Sequence, residues 1–284
     1  MPTVILARKG TGTESIPVRG HITATEYLHQ IGVPQLRPCT APFDPGYDLS
    51  TVEGHLAQSA NLMEVLKISM ACWIIADETV TRRKVAAAAA HSVPTVTGNG
   101  LFQIAVAQNL IESYLDLCAD FGVVRVECGE SHTAPSLRPS LIVKMAHARG
   151  LEVQFQLGGH FSARETIEQM IDQGDSWLNA GAVQIAAPPG DVEHGAGYFD
   201  IAGHFNPLFA ERLVRAFGID IVTFSAPDPA TQFALLQHFG RDVHLCDVRL
   251  EDLLNVESFR RGLHTAAWSN EQLHPGPPGP VASA

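Results

Sequence analysis

Basic residues are scarce in this chain. Nineteen lysines and arginines stand against 30 aspartates and glutamates in 284 residues, a net charge of −11. That balance excludes a general nucleic-acid surface, which needs a basic face. It leaves room for an anionic small substrate, because a few basic groups inside one cavity outweigh the global field locally. Cysteine is sparse and odd in number: Cys39, Cys72, Cys118, Cys128 and Cys246, with no CxxC. No disulfide framework is expected, and a reducing cytoplasm fits. Long apolar runs are missing too. No stretch reaches the roughly 20 residues of a membrane span, and the N-terminal residues do not resemble a signal peptide. The sequence contains no HExxH, no GxxxxGKS/T and no GxSxG. The Rossmann glycine fingerprint is absent, and the histidines lack zinc-finger spacing.

What is present is an alternation. Short apolar runs are separated by helical patterns, and 45% of residues are hydrophobic, enough for a sizeable core. Strands are expected at Gln35–Thr40, Met63–Ser69, Pro94–Val96, Val123–Cys128, Leu151–Gln156, Ala182–Ala187, Ile219–Ser225 and Asp242–Cys246. Helices are expected between them, among them Ser50–Ala60, Thr79–His91, a long one over Leu101–Phe121, and Pro139–Arg149. Ser50 with Glu53, and Ser162 with Glu165, have capping-box spacing. Asn206-Pro207 and Asp228-Pro229 place a cap before a first-turn proline. Eight strand–helix units point to a parallel α/β architecture and favour a closed (β/α)8 barrel in one domain. An open doubly wound sheet is the alternative. The expected organisation is an N-terminal extension over 1–30, the barrel over 31–268 and an unpacked Pro/Gly-rich tail over 269–284. Pro188–Gly203, glycine-rich and irregular, has the form of a mobile loop after the sixth strand.

In such a barrel the residues at the C-terminal ends of the strands face the chemistry. Here they are polar. Asp44 follows the first strand, Lys67 ends the second, and Asn99 sits in the TGNG turn after the third. Glu127, Glu130 and His132 come at and after the fourth, and Gln156 and His160 end the fifth. Asp191, Glu193 and His194 follow the sixth. Asp247 and Arg249 follow the eighth. Lys67 and Glu127 each interrupt an apolar run, where a charge is costly unless paired or liganded. Each residue also has a plainer reading. A strand lysine can snorkel, Arg249 can pair with Glu251 or Asp252, and the histidines can be surface groups. TGNG can be a simple turn or, through its backbone N–H groups at a helix start, hold an anion. Cys128 and Cys246 read as buried structural thiols.

The order of motifs resembles the phosphosulfolactate synthase family over about residues 35–265. The segment DVHLCDVRLEDLLNVESFRRGLH carries most of the likeness. PFDPGYDL, LKIS, TGNGLFQIAVAQN, VECGESH, AGAVQIAA and FSAP follow the family in order. The resemblance implies a (β/α)8 barrel, commonly homo-oligomeric, and magnesium-assisted addition of sulfite to phosphoenolpyruvate. It implies that Lys67 contacts phosphate or carboxylate and that Glu127 and Glu130 are metal ligands. The expected site is therefore His160, Lys67 and Glu127 as catalytic groups and Asn99, Gln156, Arg249 and Asp247 as substrate contacts. Mg2+ would be held by Glu127 and Glu130. The chain departs from the family where Gln156 and GGH replace an acidic residue and lysines, where AAPPGD replaces an acidic–arginine–acidic run, and where Asp247 replaces an asparagine. A lyase with an altered substrate is the expectation. The alternatives are a metal-dependent aldolase or hydrolase built on His132, His160 and His194 with Glu127, and a noncatalytic relative.

Overall fold

The computed structural model describes residues 22–68, 71–129, 138–158, 166–191, 196–200 and 204–276. In chain order its elements are α1 (Ala24–Gln30), β1 (Thr40–Asp44), α2 (Leu49–Ser59), β2 (Leu66–Ile68), α3 (Cys72–Ile75), α4 (Glu78–Ala90), β3 (Thr95–Thr97), α5 (Asn99–Ala107), α6 (Ile111–Asp120), β4 (Arg125–Gly129), α7 (Pro139–His147), β5 (Glu152–Gln156), α8 (Ile167–Ala180), β6 (Gln184–Ala187), β7 (Gly190–Asp191), β8 (Ala196–Gly197), α9 (Pro207–Phe217), β9 (Val222–Ser225), α10 (Pro229–Phe239), β10 (His244–Arg249) and α11 (Leu253–Arg260). Eight of the strands close into a parallel barrel in the order β1-β10-β9-β6-β5-β4-β3-β2, and β7 with β8 forms a small antiparallel ribbon. The (β/α)8 barrel expected from the alternation is the fold. No helix among the described residues is long and apolar enough to cross a membrane.

Strand alternation explains how the barrel is filled. Successive side chains point to opposite faces. In β4 and β5, Val126, Cys128, Val153 and Phe155 turn outward and join the main buried apolar cluster against the helices. Glu127, Gln154 and Gln156 then fall on the inner face, each at least nine-tenths buried. Most apolar packing therefore lies between the strands and the helices, and the inner face carries polar groups beside a small apolar cluster of Ala41, Val65, Val96 and Cys246.

Closure depends on the last helix. Arg260 is fully buried. It donates to the Val243 carbonyl at 2.8 Å, to the Thr40 hydroxyl at 3.0 Å and to Glu257 at 3.0 Å. Thr40 donates in turn to Glu257 at 2.6 Å. One guanidinium thus joins α11 to both strands that meet at the seam.

Several boundaries differ from expectation for identifiable reasons. The first strand runs over Thr40–Asp44, not Gln35–Thr40, and it contains Pro42. The ladder with β10 shifts register between Ala41 and Pro42, and proline is tolerated at such irregularities. The long helix over Leu101–Phe121 is two helices. Asn109 adopts φ 57°, Asn109 N–H donates to the Val106 carbonyl and Leu110 N–H to the Ala105 carbonyl. This is a Schellman stop with asparagine in the left-handed position. Asp48 caps α2 in place of Ser50. Thr166 caps α8 with Gln169 in a capping box; Ser162 lies outside the described residues. Within the expected tail, Glu271–Leu273 forms a 3-10 turn and Leu273 is fully buried, because it is an apolar residue in an otherwise polar stretch.

The chain divides into two compact units, Gln35–Pro275, which holds the barrel, and Met1–Pro34 with Gly276–Ala284. In the second of these, Thr23 and Glu26 form a capping box at α1, and Gly276 N–H donates to the Gly32 carbonyl at 2.8 Å.

Candidate active site

A continuous chain of polar contacts threads the lumen. Arg125 donates to Gln184 at 3.0 Å, and Gln184 to Glu64 at 3.1 Å. Glu64 meets His244 Nδ1 at 2.8 Å. In the other direction, Arg125 reaches Gln154 at 3.5 Å, and Gln154 Nε2 donates to Glu127 Oε2 at 2.8 Å. Glu127 Oε1 lies 3.0 Å from Lys67 Nζ and accepts from the Asn99 backbone N–H at 3.2 Å. Lys67 Nζ lies 2.9 Å from Asp247 Oδ1. The chain ends at the C-terminal mouth of the barrel, where Lys67 and Glu127 are buried and Asp247 retains 27% side-chain exposure.

Asp247 reaches this place through the backbone. Opposite β10, Ala41 pairs with Cys246 and Pro42 with Val248, so Asp247 is the extra residue of a bulge. Its φ is 57°, a left-handed conformation that aspartate and asparagine tolerate better than most residues. Bulges re-aim side chains near active sites, and here consecutive residues, Cys246 and Asp247, both line the mouth.

The three charges perturb one another. Burial alone would lower the Lys67 pKa, but the carboxylates of Glu127 and Asp247 overcome it and raise it well above the ordinary value. Burial pushes Glu127 up, against the pull of Lys67, and the Asp247 charge pushes the same way. Burial also pushes on Asp247, but Lys67 and the Ser225 hydroxyl hold it below the usual range. The two carboxylates are thus driven apart, Glu127 upward and Asp247 downward. Paired carboxylates with opposed shifts are the usual arrangement for separate acid and base roles.

Lys67, Glu127 and Asp247 open onto a cavity of about 410 Å³, lined also by Asn99, Gln156 and Ser225, with Phe43, Ala186 and Pro188 on its apolar side. The structure therefore brings together five of the residues singled out from sequence: Lys67, Asn99, Glu127, Gln156 and Asp247. Arg249 is not among the lining residues. It is exposed at the end of β10, past the rim, where its charge acts on Tyr47 and Glu251. Asp44 faces away. It pairs with buried Lys84 at 2.7 Å and accepts from the Gly46 and Tyr47 N–H groups. His204 is exposed beside Asp200. Glu130, His132, His160, Glu193 and His194 lie outside the described residues. Gln154, Ser225 and Cys246 were missed. Gln154 carried a signal, since it stands two residues before Gln156 on the same strand face.

Magnesium does not fit the described part of this centre. Both Glu127 oxygens already accept from donors, and the Lys67 ammonium occupies the space between Glu127 and Asp247 where a cation would sit. No group of three or more His, Cys, Asp or Glu side chains with metal-binding geometry occurs among the described residues.

The floor of the lumen supplies a pH test. His244 is 5% exposed. Burial pulls its pKa down, but Cys39 and Glu64 raise it to about 9. Gln184 faces the same Glu64, and Arg125 lies behind Gln184. A histidine raised in the folded state contributes stability below its unfolded pKa of about 6.5 and loses it as pH rises through the folded value. The contribution is at most about 3 kcal/mol. Urea unfolding midpoints are expected to fall between pH 6 and pH 9.5, and His244→Gln is expected to flatten most of that fall. An equal fall in both proteins would assign the pH dependence elsewhere.

Comparison with known proteins agrees with the fold. The family model for (2R)-phospho-3-sulfolactate synthase matches residues 33–266. The phosphosulfolactate synthase of Methanocaldococcus jannaschii is 24% identical over 231 residues, covering 80% of this chain and 92% of the relative. That of Bacillus subtilis is 20% identical, covering 78% and 88%. Among solved structures, 3-dehydroquinate dehydratase from Enterococcus faecalis superposes with a TM-score of 0.50 at 11% identity, covering 80% of this chain and 94% of that one; this likeness concerns the barrel alone. With the family model spanning the whole barrel and its final helix, the chain belongs to the (2R)-phospho-3-sulfolactate synthase family.

Proposed function

We propose that this protein is a lyase-type enzyme that adds sulfite, or a related nucleophile, to the double bond of phosphoenolpyruvate or a similar small unsaturated acid. The observation that carries the reading is the Lys67–Glu127–Asp247 cluster, set at 3.0 and 2.9 Å in a cavity at the barrel mouth. The sulfur lone pair forms a C–S bond to the terminal alkene carbon. The π electrons move toward the acceptor's carboxylate, making an enolate, and a proton then goes to the adjacent carbon. Lys67, buried with its charge fixed, stabilises the negative charge as it develops. Glu127, ionised beside Lys67 at rest and raised in pKa by burial, takes the proton of hydrogensulfite as the sulfur attacks and returns it to the adjacent carbon. Asn99 and Gln156 line the cavity as neutral polar contacts.

The test is to incubate the purified chain with sulfite and either phosphoenolpyruvate or acrylate. Sulfite-dependent loss of the double bond and a product containing a new C–S bond, found by mass spectrometry, are expected with at least one acceptor. Rates equal to the protein-free reaction with both acceptors would reject the reading.

A further inference from the structure

We propose that Asp247 is the specificity-determining residue of this centre: its carboxylate closes onto the Lys67 ammonium and selects an acceptor carrying a single carboxylate over a phosphorylated one. This deepens the reading above and rests on it.

The backbone places the charge. Among the described residues, Lys67 is the one cation lining the cavity, and Glu127 and Asp247 are its carboxylates. An ammonium has three protons to give, and two directions are already taken, by Glu127 at 3.0 Å and Asp247 at 2.9 Å. Asp247 cannot easily swing aside. It is the bulged residue of β10, held at φ 57°, with Cys246 Sγ 3.8 Å from its second oxygen. The lining also includes Phe43, Ala186, Ala187 and Pro188, apolar groups that offer little to screen a charge. A phosphate dianion entering here meets the Asp247 carboxylate as well as Lys67, and repulsion between like charges grows as water is excluded. A monocarboxylate needs only the remaining direction of the ammonium and presents no second negative group. Specificity of this sort is built by a repulsive element as much as by an attractive one.

The test is isothermal titration of phosphoenolpyruvate and of acrylate, near neutral pH and at low salt, into the wild type, Asp247→Asn and Asp247→Gly. Asparagine tolerates the left-handed backbone and glycine adopts it freely, so two independent variants keep the bulge while removing the charge. The ratio of phosphoenolpyruvate to acrylate affinity is expected to rise at least about tenfold in both variants, equivalent to about 1.4 kcal/mol. A ratio unchanged or lowered in both, with sulfite addition intact in the wild type, would overturn the role of Asp247 and leave the reaction standing. Failure of all three proteins to bind either acid would overturn this proposal and the proposed reaction together.

Discussion

Replacing Lys67 with methionine is expected to destabilise the barrel by about 3–5 kcal/mol, the usual result of removing one partner of a buried ion pair. Methionine matches the lysine stem in length, so the packing loss is small. The cost comes from what stays behind. Glu127 is 1% exposed, and without the ammonium its charge has only the Gln154 amide and the Asn99 N–H as partners. Its pKa, already raised by burial, rises further. A carboxyl raised in the folded state keeps its stability at low pH and loses it as pH climbs through the folded value. The variant's urea midpoint is therefore expected to be closest to wild type near pH 5 and to drop toward pH 8. Adding Glu127→Gln to Lys67→Met is expected to restore part of the loss, since the stranded carboxylate is then removed. A single variant as stable as wild type at pH 8 would mean that the ion pair contributes little.

Glu127→Gln should separate chemistry from stability. Glutamine keeps the side chain's shape and can accept from Gln154 or from the Asn99 N–H, and Lys67 keeps Asp247 at 2.9 Å. The fold is expected to survive with a change within about 1–2 kcal/mol, since a hydrogen-bonded neutral partner replaces the charge. The rate of C–S bond formation is expected to fall by about 10²–10⁴-fold, the usual contribution of a positioned acid. The effect belongs to kcat more than to KM, because a proton delivered in the transition state does not hold the ground state.

Much of this was legible in the sequence, for physical reasons. Eight alternating units leave a parallel barrel as the economical solution. Lys67 and Glu127 stood out because charges in apolar strands are costly unless matched, and they match each other. The family resemblance, carried chiefly by the last βα unit, agrees with the match over residues 33–266. What was not legible was long-range or conformational. Lys84, in an alanine-rich helix, gives no local sign that it pairs with Asp44 forty residues away. Arg260 reads as a helix-end charge, yet it is the buried clasp of the seam. The bulge at Asp247 depends on two residues of β10 opposing one step of β1, which no single segment reveals. Arg249 was expected among the substrate contacts after an eighth strand ending at Cys246; β10 runs on to Arg249, which stands exposed.

In the proposed reaction the Lys67–Glu127–Asp247 cavity performs the bond-forming step, with Glu127 as proton donor. The most direct measurement is the kcat for sulfite addition by wild type and by Glu127→Gln, on the acceptor that turns over best, with unfolding midpoints recorded for both. A fall of about 100-fold or more is expected, in a protein that remains folded. A Glu127→Gln enzyme turning over within about twofold of wild type would contradict it, because an acid worth so little cannot be the one delivering the proton.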